Sequence, residues 1–158
     1  MKAKELENLI FNPLYTSRIL LFFISGAQSI NPKGIKTELI YIALPFIYNE
    51  MLCGKLSRLN KKSKLNSLIK INDYQLFLSL LNEKLSDYKG ITNKALIYLG
   101  NKQNISINNF ISVSSPIHYT KQENPDLMEI SKASYNLGMV ISKERYLDVF
   151  LKLRITEL

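Results

Sequence analysis

The first strong pattern in the chain is an apolar block with polar ends. From Asn12-Pro13 to Ala27 it carries Leu14, Ile19, Leu20, Phe22 and Phe23, with Gly26 near its end. Apolar side chains on most sides of a helix suit a central, buried position. Asn accepts a hydrogen bond from an early helical N–H, and Pro costs nothing at the first helical position, so Asn12-Pro13 reads as a helix start. The same step recurs at Asn31-Pro32 and Asn124-Pro125. A second helix is expected from about Lys33 to Cys53, with Leu39, Ile40, Ala43, Leu44, Ile47 and Met51 at helical spacing. Pro45 predicts either a kink near Tyr41 or two shorter helices, and Gly54 suits the stop.

After a short basic element, Leu76, Phe77, Leu80, Leu81 and Leu85 form one stripe, capped by Asn72 or Asp73. Gly90 is expected to break it and Thr92 to cap a further helix bearing Ala95, Leu96 and Leu99, which ends at Gly100. The period then changes to two. Ile105 and Ile107 alternate with Ser106, and Phe110 to Val113 follows Asn108-Asn109, which predicts a β-hairpin. Asn109 is not Gly, so the turn type stays open. A looser stretch through Pro116, His118 and Gln122 leads to a helix with Leu127, Ile130, Ala133, Leu137 and Ile141, in which Gly138 suggests close packing. A last helix, about Lys143 to Leu153, carries Tyr146, Val149, Phe150 and Leu153.

The expected whole is one domain over residues 1–158, mainly α with a small β-hairpin: helical over about 12–100, hairpin over about 103–114, C-terminal helices over about 125–154. Helices followed by a hairpin is also the order of a winged-helix unit. Leu14, Phe22, Phe46 and Tyr48 suit either a core or an interface.

Composition narrows the chemistry. The chain has 158 residues, 46% hydrophobic and 22% charged, with one Cys and one His. That excludes an internal disulfide framework and a Cys/His zinc site, so no metal or cofactor is expected. The apolar run Ile19 to Ile24 comes too late and is too short for a signal peptide. Leu39 to Tyr48 is about half of the roughly 20 residues that a membrane span needs, and Pro45 interrupts it. With an unpaired Cys53, this suits a reducing cytoplasm and no membrane.

Charge adds a location. The net charge is +8, from 21 basic and 13 acidic residues. Seventeen of the basic residues are Lys, which A/T-rich codons encode along with the frequent Ile and Asn, so part of the excess reflects codon composition as readily as a partner. Six of the cations fall together, however. Lys55, Arg58, Lys61, Lys62, Lys64 and Lys70 lie between Met51 and Ile71 with no acid among them. Leu56, Leu59, Leu65, Leu68 and Ile69 tie this segment to a fold. Such a segment attracts phosphates by charge and counterion release. A solvated face or an acidic protein partner would have the same composition. Arg145, Lys152 and Arg154 form a weaker second cluster, offset by Glu144, Asp148 and Glu157.

Catalytic patterns are missing from the sequence. A phosphate-binding loop needs a Gly separated by four residues from its Gly-Lys pair and a Ser or Thr after it. Gly54-Lys55 has Asn49 and Leu56 at those places. His118 lies in a polar stretch without a nucleophile elbow, and reads as an exposed or capping residue. Glu123, Asp126 and Glu129 are the densest carboxylates, and acids in a first helical turn complement the helix dipole. Cys53 reads as a small buried residue. No catalytic residue is expected, and the chain is not expected to be an enzyme.

A series of short motifs remains: Asn12-Pro13-Leu14 before an apolar helix, Leu44-Pro45 in a second one ahead of the basic stretch, a hairpin after the Ala95-to-Gly100 helix, and Leu137-Gly138 in a late apolar helix. In this series the chain resembles the middle component of bacterial three-component ABC (ABC-3C) systems, which include Lamassu-type anti-phage defence. The resemblance covers about residues 8–153. Where members often carry a His soon after the Leu-Pro, then a Leu-Pro after an Arg, then a Trp, this chain has Asn49, Leu56-Ser57 and no Trp.

The resemblance implies a non-catalytic adaptor. Its partners would be a large SMC-like ABC ATPase, related to the chromosome-maintenance and double-strand-break-repair ATPases, and a separate effector, often a nuclease. The adaptor would sit on the ATPase heads and couple sensing of double-stranded DNA to effector release or assembly. The resemblance carries over no catalytic residue or cofactor. The other reading of the residues is a stand-alone winged-helix transcription regulator, with Thr92–Gly100 as the recognition helix bearing Asn93, Lys94 and Tyr98.

Overall fold

A computed structural model describes residues 4, 5, 8, 11–70 and 74–158. Helix α1, Pro13–Gln28, starts as its sequence requires: the Asn12 side chain accepts from the Leu14 N–H at 2.9 Å and Pro13 occupies the first turn. Ile19, Leu20, Phe22, Phe23 and Ile24 are all buried. Burial of each such side chain contributes about 1.5–3 kcal/mol. The helix is central: it packs on α5 and α6 and against the sheet.

Asn31-Pro32 does not start a helix. Asn31 Oδ1 accepts from the Lys33 N–H at 3.1 Å, and the Gly34 N–H donates to the Asn31 carbonyl at 2.8 Å, so the step closes a turn. Gly34 sits at φ +97°, where a Cβ would lie 1.9 Å from the Ile111 carbonyl oxygen. This close approach delivers Ile35–Lys36 to the sheet as β1. The expected helix from Lys33 to Cys53 is thereby divided. A 3-10 helix covers Thr37–Ile42, α2 covers Ala43–Ile47, and α3 covers Glu50–Ser57. Pro45 is the third residue of α2, where a missing N–H is tolerated. Tyr48 closes α2 and Asn49 caps α3, accepting from the Leu52 N–H at 3.0 Å. Gly54 lies inside α3 and stops nothing.

The short helix α4, Leu65–Ile69, leads to α5, Tyr74–Lys102. The cap expected at Asn72 or Asp73 lies outside the described residues. The expected break at Gly90 is absent, and α5 runs unbroken for 29 residues. Gly in a helix interior costs about 1 kcal/mol. The buried stripe of Phe77, Leu81, Leu85, Ala95, Leu96 and Leu99 outweighs that. Thr92 caps nothing: its hydroxyl is turned back to donate to the Tyr88 carbonyl at 2.9 Å.

The hairpin forms as expected, with β2 at Ile105–Ile107 and β3 at Phe110–Val113. Ile105 faces Val113 and Ile107 faces Ile111. What the sequence reading lacked is the third strand. β1 pairs antiparallel with β3, Ile35 opposite Ile111, so the sheet order is β1-β3-β2. Gln28 adds a clasp: its Nε2 donates to the Val113 carbonyl at 3.2 Å and its Oε1 accepts from the Val113 N–H at 2.9 Å.

Helix α6, Pro125–Ile141, is capped by Asn124, whose side chain accepts from the Asp126 N–H at 3.0 Å. Its Gly138 serves the close packing its position suggested. A Cβ there would meet the Phe23 carbonyl oxygen of α1 at 1.9 Å, and one on Gly26 would meet the Tyr135 carbonyl oxygen of α6 at 1.9 Å. The two glycines let the helix backbones touch. Helix α7, Tyr146–Leu153, begins later than expected because the Lys143 and Glu144 N–H groups still donate to the Val140 and Ile141 carbonyls at the end of α6, and Arg145 is extended. The architecture is a helical α+β fold with a small antiparallel sheet. Among the described residues no single helix is long and apolar enough to cross a membrane.

Candidate functional site

The basic segment forms a surface around the loop between α3 and α4. Arg58, Lys61, Lys62, Lys64 and Lys70 are exposed, and Lys55 is half-buried on α3. Leu56, Leu65 and Leu68 are buried beneath them. The loop's polar groups close on themselves. Asn60 Oδ1 accepts from the Lys62 N–H at 2.8 Å, and Ser63 Oγ accepts from the Asn60 N–H at 3.0 Å. The cations therefore project from a defined turn.

Two residues of the α6 region hold that turn, and the sequence reading singled out neither. The buried Asn136 donates through Nδ2 to the carbonyls of Leu56 at 2.9 Å and Leu59 at 3.0 Å, satisfying the C-terminal end of α3. Lys143 donates from Nζ to the carbonyls of Lys61 and, at 2.9 Å, Ser63. Desolvation, followed by the charge on Lys64, lowers the pKa of Lys143. Both residues reach the loop across 77 or more positions. A polar residue on the buried face of a helix, as Asn136 is in α6, is the one signal in the sequence that points to such a contact.

Two of the three cations of the weaker cluster are paired. Arg145 pairs with Asp148 at 2.8 Å and Lys152 with Glu144 at 2.5 Å. The Arg145–Asp148 bond holds the Asp148 carboxyl below its usual range and the guanidinium above its own. Arg154 sits in the left-handed region, φ 54°, just past the end of α7. These residues do not join the basic loop into one surface of unpaired cations.

The residues considered for catalysis lie on the 3-10 turn ahead of α6, just before and in the first turns of α6, and on α3. His118 caps the 3-10 turn Tyr119–Lys121, its Nδ1 2.9 Å from the Thr120 hydroxyl, and its ring lies 4.2 Å from Tyr119 and 4.8 Å from Tyr135. Asp126 lies in the first turn of α6, and Glu123, Asp126 and Glu129 are exposed. Cys53 is buried, and desolvation first, then Glu129 and Glu50, pushes its thiol up to about 11. Gly54-Lys55 is helical and offers no loop of amides to a phosphate. Among the described residues, no three His, Cys, Asp or Glu side chains gather to hold a metal ion.

The apolar residues left open between core and interface separate. Phe22 and Phe46 are buried, Tyr48 is half-buried and Leu14 is 51% exposed. Exposed leucines also appear where none was singled out, at Leu147 and Leu151 on α7.

The basic turn and the outward leucines suit a protein that makes contacts with other molecules. No curated protein and no solved structure matches the chain. A family model does, over residues 1–157: ABC-three component (ABC-3C) system Middle Component 3. The chain belongs to this family of ABC-3C middle components.

Proposed function

We propose that the protein is a non-catalytic adaptor that joins the heads of an SMC-like ABC ATPase to an effector, in a DNA-sensing, anti-phage complex of the Lamassu type. The observation that carries this is the family match over nearly the whole chain, since a middle component implies other components. The exposed cations from Arg58 to Lys70 support DNA contact by the assembled complex, because lysines that form no ion pair among the described residues are open to phosphate. The outward leucines support protein contact. The effector would be a nuclease or another enzyme, and the complex would work in the cytoplasm.

The test is co-expression with the ATPase and effector encoded beside it, with purification through a tag on this chain. The ATPase is expected to co-purify. Its absence, with both proteins soluble, would count heavily against the adaptor. In this reading Asp126, Glu129 and His118 have no chemical role. Their triple replacement by Ala leaves defence intact, and loss of defence in a folded variant would reopen catalysis.

One observation favours the second reading. The order helix α1, strand β1, intervening helices, α5, then hairpin, with β1 paired to β3, is similar to that of a winged-helix unit and supports this reading. A stand-alone regulator would place α5 in the major groove. The exposed residues on its last turns include Asn93, Lys94 and Ile97, with no Arg for bidentate guanine recognition. A winged-helix-like unit used for protein contact fits these residues better. Sequence-selective binding of promoter DNA by the isolated chain would favour the regulator.

A further inference from the structure

A cavity of about 300 Å³ opens where β1 and β3 meet the junction between α6 and α7. Ile35, Leu39 and Ile141 give it apolar walls, and Phe110 and Tyr146 flank it. The Lys36 ammonium lies over both rings, 5.4 Å from the Phe110 centroid and 5.0 Å from that of Tyr146. Lys33 lies over Phe110 at 6.0 Å. Among the described residues neither lysine forms an ion pair.

Leu147 lines the same cavity, and Leu151 follows it one turn further along α7. They are 56% and 77% exposed, whereas Val149 and Leu153 of the same helix are fully buried. Helix α7 is thus apolar on two sides, and only one of them meets this chain's core. A surface helix ordinarily turns polar residues outward. The charges beside the leucines are already engaged: Arg145 is bonded to Asp148 and Lys152 to Glu144. Lys36 lines the cavity and Lys33 stands beside it over the Phe110 ring, and neither charge is paired among the described residues.

We propose that this cavity, with Leu147 and Leu151, docks an acidic amphipathic segment of another protein component of the same system, its apolar side chains on the leucines and in the cavity and its carboxylates on Lys33 and Lys36. This rests on the adaptor reading above and adds the surface and the chemistry of the partner. Three features select that occupant. Cations over the rings of Phe110 and Tyr146 take up faces on which a nucleic-acid base would stack. Two exposed leucines offer nothing to a phosphate backbone. A second copy of this chain in a two-fold contact would set the same lysines against each other.

The test uses the labelled full chain titrated against the purified ATPase and effector components encoded beside it. Leu147→Asp with Leu151→Asp is expected to weaken binding to one of them by about tenfold or more. Lys33→Glu with Lys36→Glu is expected to do the same, and Lys36→Gln to do so more weakly. Wild-type affinity should fall with salt, since charge at the rim steers the encounter. Unchanged circular dichroism and thermal melting establish that each variant folds, and Lys102→Glu with Lys121→Glu, exposed and outside both this surface and the basic segment, should bind as wild type. If wild type binds a component and the cavity variants bind equally well, this docking site is wrong and the adaptor stands. If wild type binds neither component, the adaptor reading fails and the docking site with it. If the cavity variants lose only duplex DNA in a gel shift, the surface is a nucleic-acid site and the proposal is overturned.

Discussion

The side-chain amide of Asn136 and the carbonyl of Leu59 meet at 3.0 Å across 77 residues of sequence. The same amide nitrogen also serves Leu56 at 2.9 Å, so one buried side chain closes the last turn of α3 and the entry to the basic loop. Replacing Asn136 by Leu leaves the Leu59 carbonyl without this donor and the Leu56 carbonyl with only its bond from the Leu59 N–H. The expected cost is about 1–3 kcal/mol in chemical denaturation, since an unmet buried acceptor loses its full desolvation energy. Amide hydrogen exchange should rise selectively at Leu59 to Ser63. Unchanged exchange there would mean that Asn136 does not hold the loop.

Two glycine replacements should move stability in opposite directions. Gly138→Ala puts a Cβ 1.9 Å from the Phe23 carbonyl oxygen, a backbone atom that cannot turn aside. Helices α1 and α6 must separate, and the expected loss is about 3 kcal/mol, at the upper end for overpacking. Gly90→Ala meets nothing within 4 Å and has no positive φ. It should stabilise α5 by about 0.5–1 kcal/mol. Thermal melting of both variants decides this, and equal shifts would contradict the packing described.

Cys53 should be slow towards thiol reagents at pH 8. The thiolate is the reactive form, and burial pushes this thiol up to about 11. The linkage has a definite sign. Between the unfolded value of about 8.5 and the folded one, the unfolded chain has lost the proton that the native chain keeps. Native stability from this group is therefore complete below about pH 8.5 and declines as pH rises towards 11. Labelling at pH 8 with and without denaturant is the check. A native rate equal to the unfolded one would refute the burial.

The triple change Lys61→Glu, Lys62→Glu and Lys64→Glu should weaken duplex DNA binding by the assembled complex and flatten its salt dependence. Each phosphate that is no longer neutralised takes about 0.9 from the slope of log K against log salt. If affinity and slope both stay as they were, the segment meets protein or water only.

Much of the fold was legible because its signals are local. Asn12-Pro13 and Asn124-Pro125 start helices by capping their own next residues, and alternation from Ile105 to Val113 specifies a hairpin whose partners are close in sequence. Asn31-Pro32 has the same letters and a different outcome, because Gly34 is drawn against Ile111, an approach made only in the folded chain. Gly90 misled for the related reason that burial on both sides of it overrides a local preference. The cations of the candidate site were readable as a run. The residues that hold them, Asn136 and Lys143, were not, since nothing near either position shows that the loop of Lys61 will lie beside it.

Gln28 has a mechanical consequence. Beyond the end of β1 it meets the N–H and the carbonyl of Val113 as a further strand residue would, and it stands on the last turn of α1. Helix α1 is in turn locked to α6 by backbone contact at Gly26 and Gly138. The hairpin is thereby tied through Gln28 to the central helix pair, so a push on its tip at Asn108-Asn109 has a direct path of bonded and packed backbone into α1 and α6.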